Sequence, residues 1–260
     1  MNNMRLAVLI DAENVPRNCI KSVMEEIAIY GTPTIKRIYG DWTSPTIAGW
    51  KVSLLENAIT PIQQYSYTTG KNSSDSAMII DAMDILYTEK TDGFVIVSSD
   101  SDFTRLAIRL REAGQRVIGI GEKKTPNAFI AACDKFTYIE VIYESNEEMR
   151  LDSEDNDQKA HAHSRGKRRH TPKLPIAKVP DDIVQLIADS IAALAGDSGA
   201  VFMGELGNLI LKKQPDFDHR NFGYMSLSAM VKSIDRFETE FRQTTDPNIK
   251  HVFVRDKDAT

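Results

Sequence analysis

The chain has 260 residues, 42% hydrophobic and 27% charged, with a formal net charge of −5; these values suit a globular protein of one large or two modest domains. No apolar run approaches a bilayer span, and Met1–Asp11 is too short and too soon interrupted by an acid for a secretory leader, so neither a membrane protein nor an exported one is expected. Two cysteines, Cys19 and Cys133, make neither a disulfide framework nor a zinc site, and a reduced, cytoplasmic setting is expected.

Leu6–Ile10 is a continuous apolar run ending in Asp11, the pattern of a central parallel strand covered on both faces. Pro16 suits the start of a helix in which Ile20, Val23, Met24, Ile27 and Ala28 recur at helical spacing up to Tyr30, with Gly31 as its stop. Thr34–Tyr39 alternates as a strand, a helix follows from about Thr46 to Asn57, and a short strand lies near Pro61–Tyr65. Ser74–Thr88 is the clearest helix, and Phe94–Ser98 a second buried-type strand. Phe103–Ala113 reads as a helix ended by Gly114, Arg116–Ile120 as a third strand of that type, and Tyr138–Ile142 as the last strand. Strands alternating with helices predict an α/β fold with a parallel sheet covered on both faces.

The charge is unevenly spread. Residues 1–143 carry 15 Lys/Arg against 17 Asp/Glu. Glu144–Gln158 then holds seven acids and one base, and Lys159–Lys173 six bases and no acid. Such blocks do not build cores, so 144–177 is expected to be a flexible charged linker. Its basic tract, Arg165–Arg169, suits either a salt-dependent, sequence-independent hold on a phosphate backbone or a solvated tether. Beyond it, a helix opens at Pro180–Asp182, with Ile183, Leu186, Ile187, Ile191 and Leu194 on one stripe. Gly204–Gln214 and Ser226–Ser233 read as further helices, and Phe237–Phe241 with His251–Arg255 as a hairpin. Three helices and a hairpin predict a second, smaller winged-helix domain over 178–256.

Two of the most apolar strands end in acid: one delivers Asp11, the other Asp100 and Asp102, and Asp75 opens the strongest helix. In open parallel sheets ligands sit outside the carboxyl ends of the strands. Carboxylates gathered there repel unless a cation compensates. The group therefore suits one or two magnesium ions and metal-assisted phosphodiester hydrolysis without a covalent intermediate. The competing reading makes Asp11 and Asp100 simple helix caps. Asp81, six residues after Asp75, is either a supporting acid or a solvated one.

Three blocks carry a resemblance: LIDAENVP (Leu9–Pro16), KNSSDSAMIIDAMDIL (Lys71–Leu86) and IVSSDSDFTRLAIRLREAGQRVIGIG (Ile96–Gly121). In this order and spacing they resemble the NYN domain of the LabA-like branch of the PIN-like nucleases, over most of residues 5–143. The resemblance implies a Rossmann-like (PIN-like) parallel sheet and a magnesium- or manganese-dependent ribonuclease. It carries the acidic positions onto Asp11, Asp75, Asp100 and Asp102, as catalytic and metal-binding residues. Asn14 matches the polar residue supporting the first acid, and Ser98 the small hydroxyl residue before the third motif. The stretch Phe202–Glu238 resembles the OST-HTH or LOTUS domain, which implies a winged helix that binds RNA or, in some relatives, a protein partner.

Asn14, Ser98, Lys71 and Arg105 are the expected substrate contacts, with Tyr65 and Tyr67 as candidates for base stacking. In the second domain Arg220, Tyr224 and Lys232 are candidates for an RNA face. Met78, Met83 and Met225 read as core filler, and His219 and His251 as structural or exposed. The leading expectation is an endoribonuclease acting on RNA, with a homodimer as a weaker one. The other readings are a non-catalytic RNA-binding adaptor and, ranked last, an Asp-x-Asp phosphatase, which the Glu at position 13 disfavours.

Overall fold

The computed structural model describes residues 4–45, 47–65, 73–88, 90–143, 178–196, 199–243 and 250–259, so Lys71, Tyr67, the charged linker and Arg165–Arg169 lie outside the described residues. The chain divides into two compact units, Met1–Glu147 and Glu148–Thr260. No helix among the described residues is long and apolar enough to cross a membrane.

The first unit is built on β1 (Arg5–Asp11), whose residues beyond Arg5 are all buried. It lies between β2 (Thr32–Gly40) and β4 (Gly93–Val97). With β3 (Thr60–Gln63), β5 (Arg116–Gly121) and β6 (Lys135–Tyr138) they form one sheet, ordered β3-β2-β1-β4-β5-β6, every pair parallel. Period-two alternation splits β1 between two cores. Leu6, Val8 and Ile10 pack with Val23 and Ile27 of α1 (Ile20–Tyr30) and Leu54 of α2 (Lys51–Asn57). Ala7 and Leu9 pack with Met78, Ala82 and Ile85 of α3 (Ser73–Thr88) and Leu106 and Leu110 of α4 (Thr104–Glu112). The continuous apolar strand follows from this, because both faces are covered by helices.

Chain order makes the site's location a matter of topology. From β1 the sheet grows outward through β2 and β3, then returns to β4 on the other side of β1. That reversal makes the carboxyl ends of β1 and β4 the topological switch point, where such sheets take ligands.

Gly114 ends α4 as expected, in the left-handed region at φ 81°. Gly31 acts differently: its φ is 169°, ordinary extended backbone, and a Cβ there would stand 2.4 Å from the Met4 carbonyl oxygen. Its role is close approach of the chain to β1. The expected last strand, Tyr138–Ile142, is shifted: the strand is Lys135–Tyr138, and residues 139–143 are helical, with Ile139 and Ile142 buried in the α1 side of the core. A six-residue helix, α5 (Asn127–Ala132), precedes β6 and had no periodic signal long enough to read.

The second unit runs α6 (Asp181–Leu194), β7 (Val201–Phe202), α7 (Met203–Lys213), a 3-10 turn at His219–Phe222, α8 (Leu227–Lys232), β8 (Phe237–Gln243) and β9 (Lys250–Asp256). The strands form an antiparallel sheet, β7-β9-β8. Ile183, Ile187 and Ile191 of α6, Leu206 and Ile210 of α7, and Met230 and Val231 of α8 close a core against Val201, Phe237 and Val254. This is the expected winged-helix arrangement, to which the structure adds the short strand β7. Met225, read as core filler, is instead 82% exposed in the turn before α8.

Candidate metal centre at the carboxyl edge of the sheet

Register and pleat bring the first acid beside the third motif. Ala7, Leu9 and Asp11 share one face of β1, and Phe94 and Ile96 share the same face of β4. Leu9 pairs with Ile96 and Ile10 with Val97, so Ser98 falls beside Asp11. The Ser98 hydroxyl donates to Asp11 Oδ2 at 2.9 Å and accepts the Asp100 N–H at 3.1 Å. Asn14 Nδ2 donates to the same Asp11 oxygen at 2.7 Å, and the Glu13 N–H donates to Oδ1 at 3.0 Å. Both oxygens of a carboxylate only 2% exposed are thereby satisfied within the protein.

Asp100 follows β4 and caps the 3-10 turn Ser101–Phe103, its Oδ1 accepting the Asp102 N–H at 2.9 Å. The turn carries Asp102 round to the same rim. Asp75 arrives from the opposite direction, in the first turn of α3, which Met78, Ala82 and Ile85 fasten over Ala7 and Leu9. As a result Asp75, Asp100 and Asp102 each present an oxygen within 4.8 Å of the others. Asp11 stands outside that trio. Its charge still reaches Asp75: burial first, then Asp11, Asp100, Asp102 and Glu13, push the Asp75 carboxyl up to about 7. Without a cation, a proton on Asp75 relieves the repulsion. Hard oxygen donors at this spacing, with one of them poised to exchange its proton for a cation, fit a divalent ion such as magnesium.

The remaining expected contacts divide. Asn14 supports Asp11, as its position in the motif implied. Ser98, expected to touch substrate, is 0% exposed, and its hydroxyl is engaged by Asp11 and the Asp100 N–H. Arg105 is exposed on the first turn of α4, and Tyr65 is exposed beyond the end of β3. Arg220, a candidate for an RNA face, is paired within its own unit. Its Nε and Nη2 donate to the two oxygens of buried Asp218, at 3.0 and 2.7 Å, the acid that caps the 3-10 turn. Tyr224 is engaged too, its hydroxyl accepting from Ser233 Oγ at 2.8 Å. Both cysteines are buried free thiols, and burial raises them to about 11 (Cys19) and about 12 (Cys133), so neither is poised as a nucleophile.

Asp81 has a role that spacing alone did not give. Arg37 Nη1 and the Tyr39 hydroxyl both donate to its carboxylate. Arg37 and Tyr39 are alternate residues of β2 and therefore face the same side, where α3 lies. Asp81 thus ties α3, and with it Asp75, to the sheet. Asp81→Ala leaves the buried Tyr39 hydroxyl and the guanidinium without their acceptor. It is expected to lower the stability of the first unit by about 1–3 kcal/mol, as measured by urea unfolding.

Two family models match the chain. The family model for the NYN domain matches residues 5–140, and that for the OST-HTH/LOTUS domain matches residues 175–249. The chain belongs to the NYN domain family and carries an OST-HTH/LOTUS domain after it. Among solved structures, a protein of unknown function from Vibrio parahaemolyticus is similar at 20% identity and a TM-score of 0.44, the match covering 53% of this chain and 93% of that one. An uncharacterized protein from Nitrosomonas europaea is similar at 28% identity and a TM-score of 0.30, over 38% of this chain and 93% of that one. No curated protein matches the chain.

Proposed function

We propose that the chain is an endoribonuclease that hydrolyses RNA phosphodiester bonds with magnesium or manganese, and that its OST-HTH/LOTUS domain holds the RNA. The observation that carries this reading is the trio of Asp75, Asp100 and Asp102, with oxygens within 4.8 Å of one another at the switch point of an NYN sheet. These three carboxylates would hold a divalent ion, which would supply an acidified water and offset charge on the phosphate. The chain's own residues fix that site. Ser98 locks Asp11 to the start of the Asp100 turn, Asn14 and the Glu13 N–H keep Asp11 in place, and the Asp102 N–H orients Asp100. Asp11 then acts by its charge and by holding the rim in shape, while Arg105 and Lys71 are assigned to phosphate. We assign 1–143 to the nuclease domain, 144–177 to the linker and 178–256 to the winged helix, in a cytoplasmic protein.

The test is cleavage of labelled single-stranded and structured RNA in magnesium, manganese or EDTA, by the intact chain and by Asp100→Asn. Cleavage is expected with either metal, to vanish in EDTA, and to fall at least about a hundredfold in the variant. Losing a charged ligand forfeits several kcal/mol of charge stabilisation, at about 1.4 kcal/mol per tenfold. Equal residual cleavage by both proteins, or cleavage that survives EDTA, removes the enzyme reading and leaves an RNA-binding adaptor.

A further inference from the structure

A sheet lying over a core places apolar side chains inward and polar ones outward, and β9 breaks that rule on its outer side. Val252 and Val254 face the core of the second unit with Val201 and Phe237. The alternate residues His251, Phe253 and Arg255 face away. The antiparallel register sets Phe202 of β7 on one side of Phe253 and Glu240 of β8 on the other, with Arg242 opposite His251. Phe202 and Phe253 are half-buried and lie outside the core cluster.

These rings form one continuous patch. The centroids of Phe202 and Phe253 are 5.8 Å apart, and those of Phe202 and His251 4.8 Å apart, tilted by 39°. The Arg242 guanidinium carbon lies 4.2 Å above the Phe253 ring. Glu240 accepts from Arg242 Nε at 2.7 Å, which steadies the guanidinium and occupies one of the two acids on this face. Gly204 makes room for the arrangement: a Cβ there would stand 2.7 Å from Phe202 Cε1.

We infer that the outer face of the β7-β9-β8 sheet is a stacking platform for the bases of single-stranded RNA, formed by Phe202, Phe253, His251 and Arg242. The identity of the ligand rests on the RNA-holding role proposed above; the position of the site rests on the rings. Every base offers a flat π face, and aromatic rings and guanidinium planes are the partners such faces take. The outward positions 202, 238, 240, 242, 251, 253 and 255 include no Leu, Ile, Val or Met, so the apolar surface of this face is aromatic throughout, the kind on which bases stack. Arg242 and Arg255 are balanced by Glu238 and Glu240 on the same face. Binding here therefore leans on stacking, and its salt dependence is shallow.

The experiment uses the full chain in EDTA, so that RNA is bound and not cut, with a single-stranded oligoribonucleotide carrying 2-aminopurine. Binding is expected to quench the 2-aminopurine fluorescence as the base stacks. The double variant Phe202→Leu/Phe253→Leu keeps apolar bulk but removes both π faces. It should weaken affinity about tenfold or more and lose the quench, with circular dichroism reporting that the fold is kept. His251→Ala changes only an exposed ring and should weaken binding about fivefold or more; if the double variant does not fold, this result decides alone. Wild-type affinity and quench in the folded variants overturn the platform and leave the face to a protein partner. Because the readout is binding without cleavage, failure here and failure of the nuclease reading are separate results.

Discussion

Asp75→Asn is expected to yield a chain more stable than the wild type without metal and inactive with it. The Asp75 carboxyl is held near 7, against 3.8 for the free side chain, by burial and then by four neighbouring acids. Between those two values the folded state keeps a proton that the unfolded state releases. Stability from this group is therefore fully present below about pH 4 and is lost as pH rises through about 7. Asparagine has no proton to lose, so the metal-free variant should pull ahead of the wild type as pH rises and match it near pH 4. At pH 8 a lead of roughly 1–3 kcal/mol is expected, since each tenfold in proton affinity is about 1.4 kcal/mol and the exposed side of the cluster is screened by solvent. Adding magnesium or manganese should reverse the order. The wild type gains about 2.7 kcal/mol when the ion stands at a hundredfold over its dissociation constant, and it releases a proton on binding below about pH 7. The variant lacks one of the three oxygens that meet within 4.8 Å and gains little; its cleavage should fall at least about a hundredfold. Thermal unfolding of the first unit across pH, with and without metal, measures both halves. An unchanged pH slope in the variant would show that Asp75 does not bear the cluster's repulsion.

The residues that carry the site were legible because each ends or starts an element whose pattern is strong. Leu6–Ile10 and Phe94–Val97 are apolar throughout, so their exits are fixed within a residue; Asp11 is the last residue of β1, and Asp100 lies three residues beyond the end of β4. What each acid does was not legible, since it depends on register. That Asp11 is absorbed by Ser98, Asn14 and the Glu13 N–H, and that Asp75 joins Asp100 and Asp102, follows from which residue of β1 lies beside which residue of β4. The Asp81 tie had a signal: Arg37 and Tyr39 share a strand face, a cation and a hydroxyl in search of an acceptor. The end of the first unit misled because Tyr138–Ile142 fits two periods at once; Ile139 and Ile142 are three apart, and a five-residue window does not separate helix from strand. In the second unit, Phe202 and Phe253 alternate correctly with Val201 and Val254, but alternation does not say which member of the pair faces solvent.

Gly121→Ala is expected to damage the site without touching an acid. A Cβ at Gly121, the last residue of β5, would stand 2.6 Å from the Ser98 carbonyl oxygen, 2.7 Å from Thr125 Oγ1 and 3.0 Å from Phe136 Cζ. The nearest of these is backbone, so no side-chain rotation relieves it. Ser98 is already drawn to β5 by its N–H, which donates to the Ile120 carbonyl at 3.0 Å. The added methyl must therefore push Ser98 and the end of β5 apart, at a cost of about 1–3 kcal/mol in stability. The displacement falls on the residue whose hydroxyl holds both Asp11 and the Asp100 N–H. A shift of about 1 Å at such a point can cost on the order of a hundredfold in rate, so cleavage and metal affinity should fall together while Asp75, Asp100 and Asp102 remain in the chain. Gly114→Ala is the matching control: φ is 81° and nothing lies within 4 Å of the new methyl, so it should cost about 1 kcal/mol of backbone strain and leave cleavage unchanged. If Gly121→Ala lost stability to the same extent as Gly114→Ala yet cut RNA at the wild-type rate, Ser98 would not be the joint that sets the acidic rim.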